Sequence, residues 1–275
     1  MLRKLLKYDF SSVFKLWWIA ALSSFGLSLL AGGCINVLNV GRNLPTVVDT
    51  SATILLVLSV IGIIAFAFVS LVLVYVRFYK NLFTDEGYLT FTLPVKTAQI
   101  LNSKIILALV TLAVSGFIVC FDIFTMFAIG LPDITFDIKN YDFIFEILGE
   151  LVKQFGWYLP VYIILGIVLG VLGALFTQLL LFACITFASL ITKKSRVIAA
   201  IGIYYAVNCV LSFVAQMLII FSAPIIFEHL NLLSESMFKW VFIIVLLCAV
   251  VFCFMCCVML YILQYWMMDK KLNLA

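Results

Sequence analysis

Residues 77–104 read RFYKNLFTDEGYLTFTLPVKTAQILNSK, a polar island between two long uncharged runs. Uncharged runs elsewhere lie between Lys15 and Arg42, Asp49 and Arg77, Lys104 and Asp122, Lys153 and Lys193, Arg196 and Glu228, and Lys239 and Asp269. A helix needs roughly 20 apolar residues to cross a bilayer, and each run supplies that or nearly that; the Lys104 run continues past Asp122 to Gly130. The 275 residues are 66% hydrophobic and 11% charged, where soluble domains are about half apolar and a quarter charged. The expected fold is therefore all-α, a single transmembrane domain over 1–275 with six membrane-spanning helices. The spans are expected at 17–38, 52–77, 104–130, within 157–191, at 197–221 and at 240–268. The fourth run would overshoot a hydrocarbon core of roughly 30 Å as one helix. It is expected to project beyond the bilayer or to break near Pro160 or among Gly166, Gly170 and Gly173.

An even number of crossings puts both termini on one side, and the basic residues say which. Arg3, Lys4, Lys7 and Lys15, then Arg77, Lys80, Lys96 and Lys104, then Lys193, Lys194 and Arg196, and finally Lys270 and Lys271 all fall on one face. The other face holds Arg42, Lys139, Lys153 and Lys239. The excess of Lys and Arg on cytoplasmic loops places both termini in the cytoplasm. The net charge of +4 is thus a topology signal, and its dispersal over separate loops argues against nucleic acid as a partner.

Residues 1–14 read as an amphipathic interfacial helix, with Leu2, Leu5, Leu6, Phe10 and Val13 on one stripe and Arg3, Lys4 and Lys7 off it. The alternative is the plain start of the first span. Trp17 and Trp18 are expected to mark the membrane interface. The external segments are 131–156, where Phe143, Ile147 and Leu151 recur at helical spacing, and 223–239, where Pro224 interrupts the apolar run and a re-entrant or surface element is expected.

Two patterns carry less than they promise. LLAGGC at 29–34 resembles a lipoprotein cleavage box, but an apolar first span explains it better. Cys253, Cys256 and Cys257 form a C-x-x-C-C inside a span with no histidine or carboxylate beside it, so they read as small apolar residues and no metal is expected. Enzyme chemistry is equally sparse. H-E-x-x-H and G-x-S-x-G are missing, and the sole histidine, His229, lies in an external loop.

Asp122 is the one acid inside an expected span, where a charge is costly and hence a functional candidate. With Thr125, Gln178 and Gln216 it could line a substrate path; otherwise it reaches the outer interface or simply stays protonated. Gly166 and Gly170 form a G-x-x-x-G with Gly173 one turn on, a spacing that lets helices approach closely, either within the bundle or across a dimer.

The island itself is cytoplasmic on the charge count. Gly87 permits a sharp change of direction, Tyr88, Leu89, Phe91 and Leu93 form an apolar group, Pro94 ends it, and Thr97 can cap the helix that follows. Exposed aromatics beside Asp85 and Glu86 suit a docking knob better than a plain loop.

The run RFYKNLFTDEGYLTFTLPV, the basic N-terminus leading through KYDF into the first span, and the C-terminal KKLNL resemble the permease subunits of ABC-2-type ATP-binding-cassette transporters, in particular the compact six-span permeases of Firmicutes. The resemblance implies a coupling element at Leu82–Leu93, within the cytoplasmic loop 78–103, that contacts an ATPase through Phe83, Thr84, Asp85, Glu86, Gly87, Tyr88 and Leu89. It also implies two ABC ATPase subunits and a second permease, identical or different, with ATP and Mg on the ATPases and no cofactor on this chain. No G-x-x-x-x-G-K-[ST] occurs here, in keeping with ATP hydrolysis on a separate chain. The expected function is that of an ATP-driven exporter in the bacterial cytoplasmic membrane. A secondary transporter or channel, and a non-transporting immunity or scaffold protein, are the alternatives.

Overall fold

The computed structural model describes residues 2–40, 45–83, 97–131, 146, 149–153, 155–192, 196–230 and 235–270. Six long helices carry these residues: α1 Leu2–Val40, α2 Thr46–Phe83, α3 Thr97–Gly130, α4 Leu159–Ile191, α5 Arg196–Leu230 and α6 Glu235–Lys270. All regular structure among the described residues is helical, and all six helices contain a stretch long and apolar enough to cross a membrane. The all-α, six-span expectation is borne out.

The helices are longer than the expected spans. At about 1.5 Å per residue the 33 residues of α4 extend about 50 Å, well beyond the roughly 30 Å hydrocarbon core. A helix satisfies its own backbone hydrogen bonds in lipid and in water alike, so nothing obliges it to end at the interface. Three local differences follow. The N-terminal segment expected as an interfacial helix is helical but runs without a break into the first span as α1. The fourth run starts its α-helix at Leu159, with Pro160 in the first turn, where a missing N–H costs nothing, and continues unbroken through Gly166, Gly170 and Gly173. Just before it, Gly156 (φ 54°) opens a 3₁₀ turn over Gly156–Tyr158. The re-entrant element expected at 223–239 is corrected: α5 continues through Pro224 to Leu230 and α6 begins at Glu235. Proline removes one hydrogen bond, which a long apolar helix tolerates.

The helices group into two compact units. One comprises residues 1–90 and 102–149, hence α1, α2 and most of α3. The other comprises residues 91–101 and 150–275, hence α4, α5, α6 and the first turn of α3.

Within the first unit α1 is the central element. Its buried positions Asp9, Val13, Trp17, Ala21, Ser24, Ser28 and Ala31 recur every three or four residues and form one continuous stripe. Trp17 packs with Phe14 and Trp18 and tilts against Phe66 of α2, with ring centroids 6.2 Å apart; Val13, Ala21 and Leu107 complete this core. Trp17 is thus a core residue at 2% exposure instead of an interface anchor, because the unbroken α1 turns its stripe onto α2. Trp18, on the outer side, is exposed.

Within the second unit α4 packs against α5 and α6. Its buried residues cluster in the later half, from Gln178 to Ala188. Tyr162 donates to the Lys239 carbonyl (2.9 Å) and meets Phe242 edge-on, while the Cys257 thiol lies 3.6 Å from the Leu172 carbonyl. These contacts advance together along both helices, so α4 and α6 run parallel.

Candidate functional site

The helices that enter and leave the island are fixed beside it by buried polar groups. Asp9 stands on the stripe of α1 at 3% exposure. Its carboxylate accepts a hydrogen bond from the Lys104 ammonium of α3 (2.6 Å) and from the Asn81 amide of α2 (2.8 Å). The Arg77 Nε of α2 is 3.7 Å from the same carboxylate. One anion therefore joins three helices, with Lys104 buried at 2% and Asn81 at 7%. A buried ion is tolerated when paired and hydrogen-bonded, and here both carboxylate oxygens are engaged. Phe83 closes α2 two residues beyond Asn81, with its ring against Phe78 and Tyr79.

At the far side of the island α3 begins at Thr97. The Thr97 hydroxyl donates to the Asp269 carboxylate near the end of α6 (3.1 Å). Each end of the island is thus tied by a polar bond: the α2 end within the first unit, the Thr97 end within the second. Of the seven residues assigned to an ATPase contact, Phe83 is described and largely buried; Thr84, Asp85, Glu86, Gly87, Tyr88 and Leu89 lie outside the described residues. Lys7 is exposed on α1; Arg3 and Lys4 are in its first turn, their side chains outside the described ones.

A second polar feature joins α1 to α3. The buried stripe of α3 runs Lys104, Ala108, Thr111, Ser115, Asp122, and the Thr and Ser hydroxyls return to carbonyls of their own helix. Asp122 is fully buried, about 27 Å along α3 from Lys104. Ser24 of α1 faces its carboxyl, and one turn on Ser28 and Thr125 meet at 3.0 Å. A further turn on, the backbones close up. A Cβ on Gly32 would lie 2.8 Å from the Ile129 Cβ and 2.9 Å from the Met126 carbonyl, and one on Gly130 would lie 2.7 Å from Ile35. The Asn36 amide then donates to the Ile129 carbonyl (3.1 Å).

Of the four residues assigned to a substrate path, Asp122 and Thr125 sit on this seam. Gln178 is buried on α4, and Gln216 is exposed on α5. Gly166, Gly170 and Gly173 have open space where a Cβ would stand, so the close packing expected there within the bundle is made instead at Gly32 and Gly130. Among the described residues no group of three or more His, Cys, Asp or Glu side chains is gathered as a metal site.

Asp9, Asn81 and Asp269, and the set Ser24, Ser28 and Gly32, were not singled out by sequence reasoning. A signal for them existed. Asp9 lies four and eight residues before Val13 and Trp17, and Ser24-x-x-x-Ser28-x-x-x-Gly32 is a small-residue repeat at helical spacing. No protein-family model, curated protein or solved structure matches the chain.

Proposed function

We propose that this chain is the membrane-spanning subunit of an ATP-driven exporter of the ABC-2 type, paired with a second permease and served by two separate ATPase subunits that bind ATP and Mg. It lies in a bacterial cytoplasmic membrane with both termini in the cytoplasm, and carries an amphiphilic or peptide-like substrate. Six apolar helices among the described residues are in keeping with such a subunit, and the sequence of the island supplies the resemblance.

The observation that carries the proposal is the Asp9 carboxylate, which bonds to α2 at Asn81 and to α3 at Lys104 beside the segment 84–96. An ATPase pressing on that segment displaces the ends of α2 and α3. The buried ion pair makes α1 follow, so a local push becomes a movement of three helices. Coupling needs such an element whose equilibrium both sites bias.

The test is co-purification in mild detergent, followed by ATPase measurement in the reconstituted complex. A soluble ATPase is expected to accompany the wild-type chain. Glu86→Ala with Tyr88→Ala should abolish substrate-stimulated hydrolysis while leaving the chain folded in the membrane. Normal coupling in that variant would remove the docking assignment, and transport that persists without ATP would favour a secondary transporter.

A further inference from the structure

Helix α5 carries three polar side chains at successive four-residue steps, Asn208, Ser212 and Gln216, which helical geometry gathers on one face. Arg196 and Glu228 flank the apolar run of this helix. Asn208 and Gln216 stand about 18 Å inside them along the axis, so the patch lies at membrane depth. Ser212 and Gln216 are exposed and Asn208 is half-buried. The Asn208 amide gives one hydrogen to the Tyr204 carbonyl of its own helix (2.9 Å). Its second N–H and side-chain oxygen, the Ser212 hydroxyl and the whole Gln216 amide have no partner among the described residues.

Hydrocarbon offers no hydrogen bonds, so an exposed amide at this depth is costly until another polar group meets it. The patch belongs to a longer stripe, Ile198, Ile201, Tyr205, Asn208, Ser212 and Ala215, whose steps alternate between three and four residues. That is the repeat of a seam between paired helices. Ile198, Ile201 and Tyr205 are 74%, 53% and 70% exposed, and Ala215 is exposed as well. The buried Ala200 and the half-buried Ala199 and Ile203 lie on another side of α5, which leaves the stripe uncovered. A water-filled path would need polar positions to continue along the face, and Ile198 and Ile201 interrupt it on the Arg196 side.

An amide is both donor and acceptor and is therefore complementary to itself. Copies of one chain enter a membrane in one orientation. Two α5 helices related by a two-fold axis along the membrane normal thus run parallel, with each residue beside its own counterpart at the same depth. Any other partner would have to supply matching polar groups at both depths. We infer that this stripe of α5 is the contact through which two copies of the chain pair in the membrane, with Asn208 and Gln216 each hydrogen-bonding to its own counterpart. The inference narrows the second permease of the proposed function to a second copy, and rests on that reading only for the partner being a permease.

The test is disulfide trapping between two differently tagged, co-expressed copies of the full-length chain in native membranes. Ser212→Cys, which is close to isosteric, is oxidised with copper phenanthroline, and links are mapped by peptide mass spectrometry so that the native cysteines stay in place. The thiols introduced at position 212 should join the two copies, whereas Val214→Cys, on the other side of the helix, should give no link. In dilute lipid vesicles, Asn208→Leu with Gln216→Leu should weaken pairing of fluorescently labelled copies about threefold for each hydrogen bond lost. A missing link at position 212, an equal link at position 214, or unchanged pairing of the double variant overturns the seam. An unlinked thiol at position 212 that reacts with a water-soluble maleimide overturns it in favour of an aqueous path. A co-purifying ATPase without the link removes the seam and leaves the exporter reading; the link without an ATPase does the reverse.

Discussion

Asp9 shows how one buried side chain can tie three helices of a unit together. Removing one partner of a buried ion pair leaves the other charge uncompensated, at a cost of about 3–5 kcal/mol, while replacing both partners by apolar groups is often neutral or stabilising. Asp9→Asn should therefore destabilise the first unit by about that amount, because Lys104 remains buried and loses the Asp9 carboxylate. Adding Lys104→Met to Asp9→Asn should recover part of the loss. The comparison is made by thermal unfolding of the single and double variants, and additive losses would show that the two groups do not act as a pair. The acid was legible as a residue, but its partners were not. Asn81 and Lys104 lie 72 and 95 positions away, and no local pattern encodes which helix faces which.

At the scale of elements, two small-residue patterns have opposite fates. Gly166, Gly170 and Gly173 have open space around them, whereas Gly32 and Gly130 touch the neighbouring backbone or a β-branched side chain. Gly32→Val should push α1 from α3 and cost about 1–3 kcal/mol or more, since the obstacle is a carbonyl that cannot rotate away. Gly170→Ala should be neutral, or stabilising by up to about 1 kcal/mol through helix propensity. Melting temperatures of the two variants measured in the same detergent decide the matter. Spacing alone made the glycines of α4 look like the packing face. Spacing also marks Ser24, Ser28 and Gly32, and what distinguishes the two sets is whether that face of the helix meets a neighbour.

At the scale of the whole molecule, contacts within each unit give the helix directions. Pairs between α1 and α3 advance together from Asp9–Lys104 through Ser28–Thr125 to Asn36–Ile129, so these helices are parallel. Pairs between α1 and α2 run oppositely, from Asp9–Asn81 to Trp17–Phe66. In the second unit α4 and α6 are parallel as well, as alternate membrane crossings must be. Tags fused to the two ends should report the same side, which the proposed topology makes the cytoplasm. Impermeant labelling of tags on intact cells checks this; a label reaching one end and not the other would mean an odd number of crossings.

The sequence by itself determined the class of fold and the number of crossings, because lipid imposes a length and an apolar composition that can be counted residue by residue. It also marked the island as the exceptional segment, since charge and turn residues in such a chain stand out without any knowledge of neighbours. Only the tertiary structure decided that Trp17 is core, that Asp9 ties three helices together beside the island, and that Asp122 is buried facing Ser24 of α1. Those facts depend on which faces of distant helices meet. In a membrane both the lipid-facing and the partner-facing sides of a helix are apolar, so hydrophobicity cannot tell them apart, and the buried polar residues acquire meaning only when their partners are in place.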